Sequence, residues 1–197
     1  MISGDSHLKG LVLAGGKSSR MGKDKALISY HNQPQFLHVV SLLENFCNAV
    51  FISCRKDQED FFQSHNLKTI PDREEGRGPL GAIHSALLSD IAAAWIVLAC
   101  DLPLADEKLV EELLAERKTD CIATSFISPH DGLPEPLIAV WERHAIKIVE
   151  VFIANGHSCP RKVLINSNTH LVQPSQPEKL VNINTPEEFA AIVFSKS

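Results

Sequence analysis

Short apolar runs alternate along this chain with longer stretches in which apolar residues recur every three or four positions. A short apolar run bounded by turn residues reads as a strand buried on both faces, and the 3.6-residue repeat reads as a helix burying one side. Strands are therefore predicted at residues 10–14, 49–54, 67–70, 95–100 and 121–124. Residues 34–46 read as a helix with Phe36, Val39, Val40 and Leu43 on one face. Leu80, Ile83, Leu87 and Leu88 mark a second such face, and Leu109, Val110, Leu113 and Leu114 a third. Strand alternating with helix is the pattern of βαβ units, so the expected fold is α/β, a three-layer α/β/α sandwich around a mainly parallel sheet. The last third is less regular, with a strand at 136–141, a helix at 142–154 and a loop at 171–182 broken by Pro174 and Pro177. Thr185, Pro186 and Glu188 then have the order of a helix start: cap, proline at the first helical position, and a glutamate completing a capping box.

An open parallel sheet takes its ligands outside the carboxyl ends of its strands. The residues with unusual chemistry fall there: a glycine loop after the first strand, Asp72 after the third and Asp101 after the fourth. The loop runs Leu11-Val-Leu-Ala-Gly-Gly-Lys-Ser-Ser-Arg-Met-Gly-Lys-Asp-Lys25, packing three glycines, two hydroxyls and four cations behind an apolar strand. Glycines let backbone N–H groups approach an anion closely, and the cations offset phosphate charge. A plain polar loop would not need all of these together. A P-loop anchored on Gly16-Lys17-Ser18 would require glycine where Leu11 stands, and the dinucleotide fingerprint G-x-G-x-x-G is absent.

Asp101 closes the apolar run Trp-Ile-Val-Leu-Ala-Cys. Mg²⁺ takes one or two carboxylates plus phosphate oxygens, which suits a strand-end aspartate facing a phosphate loop. Such an aspartate can also cap a helix, but Asp106 is better placed to cap the helix that starts near Glu107. Asp72, before Arg-Glu-Glu-Gly-Arg-Gly, reads either as a turn residue or as a ligand, and Gly78-Pro79 marks a helix start with proline at its first position. Asn182 and Asn184 project to one side of an extended segment, where they can bind a polar acceptor or help hold the metal.

Length and charge narrow the classes. With 197 residues and 44% apolar content, residues 1–197 are expected to form one domain around one core. A net charge of −5 argues against a nucleic-acid partner, which needs a concentrated basic face, but not against a small anion. Five cysteines without a C-x-x-C pair suggest neither zinc nor a redox centre, and most are expected to be buried in a reducing compartment. Residues 1–9 are polar, unlike a signal peptide, and no apolar run is long enough to cross a membrane, so a cytoplasmic protein with no membrane partner is expected. The nine histidines lack metalloprotease spacing, and no Gly-x-Ser-x-Gly elbow suggests a covalent nucleophile.

The stretch LVLAGGKSSRMGKDKAL resembles the signature loop of the MobA-like nucleotidyltransferases, and its Arg-Met-Gly-x-Asp-Lys segment is similar to that of the molybdenum cofactor guanylyltransferases among them. Pro71-Asp72, Gly78-Pro79-Leu80-Gly81, Cys100-Asp101-Leu102-Pro103, Glu135-Pro136-Leu137 and Asn182-Ile183-Asn184-Thr185-Pro186 follow in the family's order. The resemblance implies a Rossmann-like fold that transfers GMP from Mg·GTP to the terminal phosphate of molybdopterin, with or without molybdenum, releasing pyrophosphate. It implies that backbone groups of Leu13, Ala14 and Gly15, with Gly16 beside them, face the base and ribose. Arg20 and Lys25 would face the phosphates, Asp72 the nucleoside and Asp101 the Mg²⁺. Ser53 stands near a position where the guanylyltransferases often carry asparagine. Catalysis would rest on alignment and on charge neutralisation by Mg²⁺, Lys25 and Arg20. The partners implied are GTP and molybdopterin, with room for transient contact with proteins that deliver or receive the cofactor. A cytidylyltransferase acting on the same cofactor or another phosphorylated acceptor stays open, as does a nucleotide-binding regulatory protein without turnover. The aspartate before Lys25, which cytidylyl relatives usually lack, favours guanylyl transfer, and Arg20, Lys25 and Asp101 together favour turnover.

Overall fold

The computed structural model describes residues 7–14, 29, 33–73, 76–183 and 188. Strands β1 (Leu8–Leu13), β2 (Val50–Cys54), β3 (Lys68–Pro71), β4 (Ala94–Ala99), β5 (Ala123–Ile127), β6 (Pro134–Trp141) and β7 (Thr169–Val172) form one seven-stranded sheet in the order β3-β2-β1-β4-β6-β5-β7. Every pairing is parallel except those of β6, which runs against β4 and β5. The reason is local. β5 and β6 are joined by a short hairpin that turns on Gly132 at φ +71, and a hairpin returns its strand antiparallel. Two backbone bonds close it: Ser128 N–H donates to the Leu133 carbonyl and Gly132 N–H to the Ser128 carbonyl.

Helices α1 (Gln35–Glu44), α2 (Glu59–Ser64) and α4 (Glu107–Ala115) cover one face of the sheet, and α3 (Gly78–Ser89), α5 (Ala145–Ala154) and α6 (Pro160–Ile165) the other. Alternate strand residues divide accordingly. Val12, Ile52, Ile96 and Leu98 pack against Phe36, Val39, Leu43 and Val110, while Leu11, Trp95, Val97 and Ala99 pack against Leu80, Ile83 and Leu87. All six residues of β4 are buried, as expected of a strand covered on both faces. α1 crosses β1 closely at Gly10, where a Cβ would lie 3.1 Å from Val50 Cγ2 and 3.2 Å from Leu43 Cδ1. The three-layer, mainly parallel, Rossmann-like sandwich is thus the observed fold.

Several boundaries differ from expectation. The strand expected at 121–124 starts at Ala123 and continues to Ile127, and the helix expected from 142 begins at Ala145. Residues 171–182 are not one loop: Leu171 and Val172 belong to β7, and Pro177–Leu180 forms a 3₁₀ turn. β7 lies at the sheet edge and carries Thr169 and His170, so it lacks the apolar run of an interior strand. α2 and α6, six residues each, are too short to show a repeat. Asp106 caps α4 as expected, its Oδ1 accepting from Leu109 N–H at 3.1 Å. Gly78 has φ +56, so the helical backbone of α3 starts at Pro79, where a missing N–H is harmless. The start expected at Thr185 and Pro186 lies outside the described residues. Of the cysteines, Cys54 and Cys100 are buried, Cys47 and Cys121 half-buried and Cys159 exposed, fewer in the core than expected. No helix among the described residues is long and apolar enough to cross a membrane.

At the amino-terminal edge of β4, the ends of α4 and β6 are joined by a buried ion pair. Arg117 Nε and Nη2 donate to the two oxygens of Glu142 at 2.6 and 3.0 Å, with the glutamate side chain 5% exposed. Removing one partner strands the other charge, so Glu142→Gln should destabilise the fold by about 3 to 5 kcal/mol, whereas Arg117→Met with Glu142→Leu should cost much less. Urea unfolding of both variants checks this; equal losses would show that the pair itself, and not a stranded charge, carries the effect.

Candidate active site

β1 lies between β2 and β4, and the chain fills the sheet on the β2 side before it crosses to β4. The reversal opens a crevice at the carboxyl ends of β1 and β4, the place where open α/β sheets bind ligands. Leu13, the last residue of β1, pairs with Ser53 on one side and Ala99 on the other. The ladder reaches the edge itself, since Cys100 N–H donates to the Leu13 carbonyl at 3.3 Å. Leu13 and Ala14 are therefore buried at the floor of the crevice. Beyond them the chain enters the glycine loop and returns at the bridge between Ser29 and Pro34, ahead of α1. Gly15, Gly16, Arg20 and Lys25 lie outside the described residues.

On the β2 side, Asp72 N–H donates to the Cys54 carbonyl at 3.0 Å, extending the β2–β3 ladder past its last pair. Asp72 thus stands two residues past Ile70, the ladder partner of Ser53, and the Ser53 hydroxyl donates diagonally to Asp72 Oδ1 at 3.1 Å. Ser53 is only 3% exposed. The serine that stood in place of an expected asparagine is thus the partner of the neighbouring carboxylate. Burial raises the Asp72 carboxyl above the ordinary aspartate range, a shift that the Ser53 hydrogen bond and the Arg55 charge only partly offset. The turn after Asp72 is fixed from below. Arg73 N–H donates to Ser85 Oγ at 3.2 Å, and that buried hydroxyl donates in turn to the Gly81 carbonyl.

Across the crevice, Asp101 stands in the turn after β4, separated from its last residue, Ala99, by Cys100, and is half-buried. Its backbone carbonyl accepts from Ile183 N–H at 2.9 Å. Ile183 is 1% exposed and Asn182 exposed, so the segment that expectation joined to the site arrives with its apolar residue inward and Asn182 outward. Asn184 lies outside the described residues. Glu135 reaches the same edge because β6 runs antiparallel, and Arg161 of α6 holds it at 3.1 Å while also holding Asp131 of the hairpin at 2.7 Å.

Two features escaped sequence reasoning. Arg55, just past β2, acts electrostatically on Asp72 while its guanidinium pairs with Asp57 at 3.0 Å; a cation directly after a predicted strand was the available signal. The Ile183 bond to Asp101 had none, because it joins backbone groups. The site also limits the chemistry. Burial, with Glu59, Asp72 and Asp57 nearby, pushes the Cys54 thiol up to about 12, so it is protonated at neutral pH and is no nucleophile. Among the described residues no group of three or more His, Cys, Asp or Glu side chains could hold a metal.

The raised Asp72 value has a definite sign. The folded protein binds this proton more tightly than the unfolded chain, so the ionised carboxylate costs stability at pH values above both, and the cost disappears below the ordinary aspartate range. Asp72→Asn keeps an oxygen for Ser53, and should raise the thermal midpoint of the free protein at pH 7 while leaving it unchanged in acid. Calorimetry at the two pH values checks it; a lower midpoint at pH 7 would mean that the charge is stabilised in the fold.

Relatives place this edge in context. A family model described as MobA-like NTP transferase domain matches residues 10–176. The chain is 38% identical over 185 residues to a molybdenum cofactor biosynthesis bifunctional protein of Synechocystis sp., covering 94% of this chain and 53% of that protein; it spans about half the length of that relative. It is 31% identical to a molybdenum cofactor guanylyltransferase of Vibrio vulnificus, covering 90% of this chain and 91% of that one. Among solved structures, molybdopterin-guanine dinucleotide biosynthesis protein A of Archaeoglobus fulgidus superposes with a TM-score of 0.77 at 25% identity, covering 96% of this chain and all of that one.

Proposed function

The chain belongs to the MobA-like NTP transferase family, and on that premise we propose that it transfers GMP from Mg·GTP to the terminal phosphate of molybdopterin, releasing pyrophosphate. The reading draws support from relatives named molybdenum cofactor guanylyltransferase at 31% identity over nine-tenths of the chain. The observation that carries it is the juxtaposition, across the ends of β1 and β4, of the Ser53–Asp72 pair and of Asp101 tied to Ile183. On the same reading residues 1–197 work as one domain in the cytoplasm, in transient contact with proteins that deliver or receive the cofactor.

In this proposal Leu13, Ala14, Gly15 and Gly16 present backbone groups to the base and ribose. Asp72, held in orientation by Ser53, accepts hydrogen bonds from the nucleoside. Its burial in the free protein is then useful, because donors from the nucleoside supply the stabilisation that the carboxylate lacks beforehand. Arg20 and Lys25 hold the triphosphate. Asp101 contributes one hard carboxylate, with Asn182 and Asn184 adding amide oxygens toward either the metal or the acceptor. A lone carboxylate with amide oxygens fits Mg²⁺, which completes its shell with phosphate oxygens and water. The bound ion would offset charge on the α-phosphate and the departing pyrophosphate. An oxygen of the acceptor phosphate attacks the α-phosphorus, the bond to the β-phosphate oxygen breaks, and pyrophosphate leaves with the charge that Lys25 and Arg20 meet.

Incubation with molybdopterin and each of Mg·GTP, Mg·CTP and Mg·ATP tests the reading: pyrophosphate should appear with GTP. Release with CTP instead would move the chain to cytidylyl transfer, and tight nucleotide binding without pyrophosphate would make it a regulatory module. Lys25→Ala should slow turnover by about 10² to 10³, since a lost charge contact with the leaving group costs ~3 to 4 kcal/mol in the transition state. Wild-type turnover in the folded variant would remove Lys25 from the mechanism. Asp101→Asn should weaken GTP binding modestly and turnover far more, because charge builds at the metal only in the transition state. Equal losses of both would make Asp101 a turn residue and leave Asp72 the next candidate.

A further inference from the structure

The segment after β7 returns along α4 toward the crevice, fastened at successive points. At the far end of α4, the Ser175 backbone N–H and hydroxyl both donate to the Glu112 carboxylate, each at 2.7 Å. Nearer the site, Lys179 in the 3₁₀ turn pairs with Asp106 through Oδ2. Asp106 uses Oδ1 to cap α4, so the lysine is held by the oxygen that the helix leaves over. Leu180 is buried in the core on this face of the sheet. The segment then delivers Ile183 N–H to the Asp101 carbonyl, leaving Asn182 exposed beside it. The order Glu112, Asp106, Asp101 is met by Ser175, Lys179, Ile183, so the segment runs antiparallel to α4 and ends at the residue from which the turn into α4 departs.

We propose that residues 175–183 form a strap whose register, set by Lys179, holds Asp101 and Asn182 where a nucleotide-bound metal ion is taken, making Lys179 a positioning residue for nucleotidyl transfer. The proposal rests on the reading of Asp101 as the metal carboxylate. Asp101 stands in a turn beyond the end of β4, where the sheet ladder no longer fixes it, and the strap supplies a backbone bond from outside the sheet. A half-exposed ion pair adds little to global stability. Its effect on register is larger, because small displacements of a reacting group cost heavily in alignment. With the Lys179 charge removed, the strap is docked only part of the time, and apparent metal affinity falls by the docked fraction.

The test uses the full chain, saturated with whichever of GTP or CTP the wild type binds, with Mn²⁺ titrated and followed by electron paramagnetic resonance. Lys179→Met should weaken Mn²⁺ binding about fivefold or more, and Lys179→Arg should restore it. Nucleotide affinity in chelator should stay within about twofold of wild type, since the metal-free contacts do not involve the strap. Hydrogen exchange at the Ile183 amide should accelerate in Lys179→Met. Glu112→Ala, which releases the far anchor, should act in the same direction and serves if Lys179→Met folds poorly. Unchanged Mn²⁺ affinity in a folded Lys179→Met protein, or a matching loss of nucleotide affinity in chelator, would overturn the strap. An Asp101→Asn arm separates the two readings. If that variant binds Mn²⁺ like wild type, the metal assignment falls and takes the strap with it; if it loses Mn²⁺ while Lys179→Met does not, only the strap falls.

Discussion

The parallel ladder between β1 and β4 is the contact on which the rest of the molecule depends. It pairs Leu8 with Ala94 through to Leu13 with Ala99, joining parts of the chain that are some eighty residues apart in sequence. Because β2 and β3 occupy one side of β1 and β4 the other, the connections leaving the two strands diverge, and nothing in the sheet fills the edge between them. β4 is apolar on both faces and β1 is so apart from Lys9, so a one-residue slip would exchange the residues facing the two helical layers and disrupt both cores at once. That constraint fixes the level at which Ala14 and Asp101 emerge.

What surrounds the edge is polar and supported from outside the sheet. Asp72 is set by an extension of the β2–β3 ladder and by Ser53, the turn after it by Ser85 of α3, and Asp101 by the strap along α4. The hairpin between β5 and β6 is held by Arg161 from α6. Each support comes from a different element, so side chains with short reach are brought to one edge without a dedicated domain. The arrangement costs stability where Asp72 is buried with only partial compensation, a cost that, on the proposed reading, a bound nucleoside would remove.

How much of this was legible in the sequence follows from which interactions are local. β4 was readable because Trp95 to Ala99 are apolar without interruption, and the capping role of Asp106 because the bond to Leu109 spans three residues. Asp72 and Asp101 were readable as strand-end aspartates once the strands were placed. β7 and α6 were not, since an edge strand and a single short turn bury too little to leave a pattern. The partner of Ser53 depends on the register of β2 against β3, nineteen residues apart, and the strap on a hydrogen bond 63 residues apart and an ion pair 73 residues apart that no local rule encodes. Asn182 shows the mixed case: its alternation with Ile183 was visible, but the bond that seats Ile183 at Asp101 was not.

The central claim is that this edge works by alignment and charge alone, with the acceptor phosphate attacking the α-phosphorus directly. The most direct measurement uses GTP carrying sulfur at the α-phosphate in a single configuration, with molybdopterin as acceptor, and reads the configuration of the product. A single in-line displacement inverts the phosphorus, and inversion is the predicted result. Retention would require two displacements and therefore a covalent nucleotidyl–enzyme intermediate, which would contradict an edge on which Cys54 is protonated and, on the proposed reading, the phosphate charge is met by Arg20, Lys25 and the Mg²⁺ that Asp101 would hold.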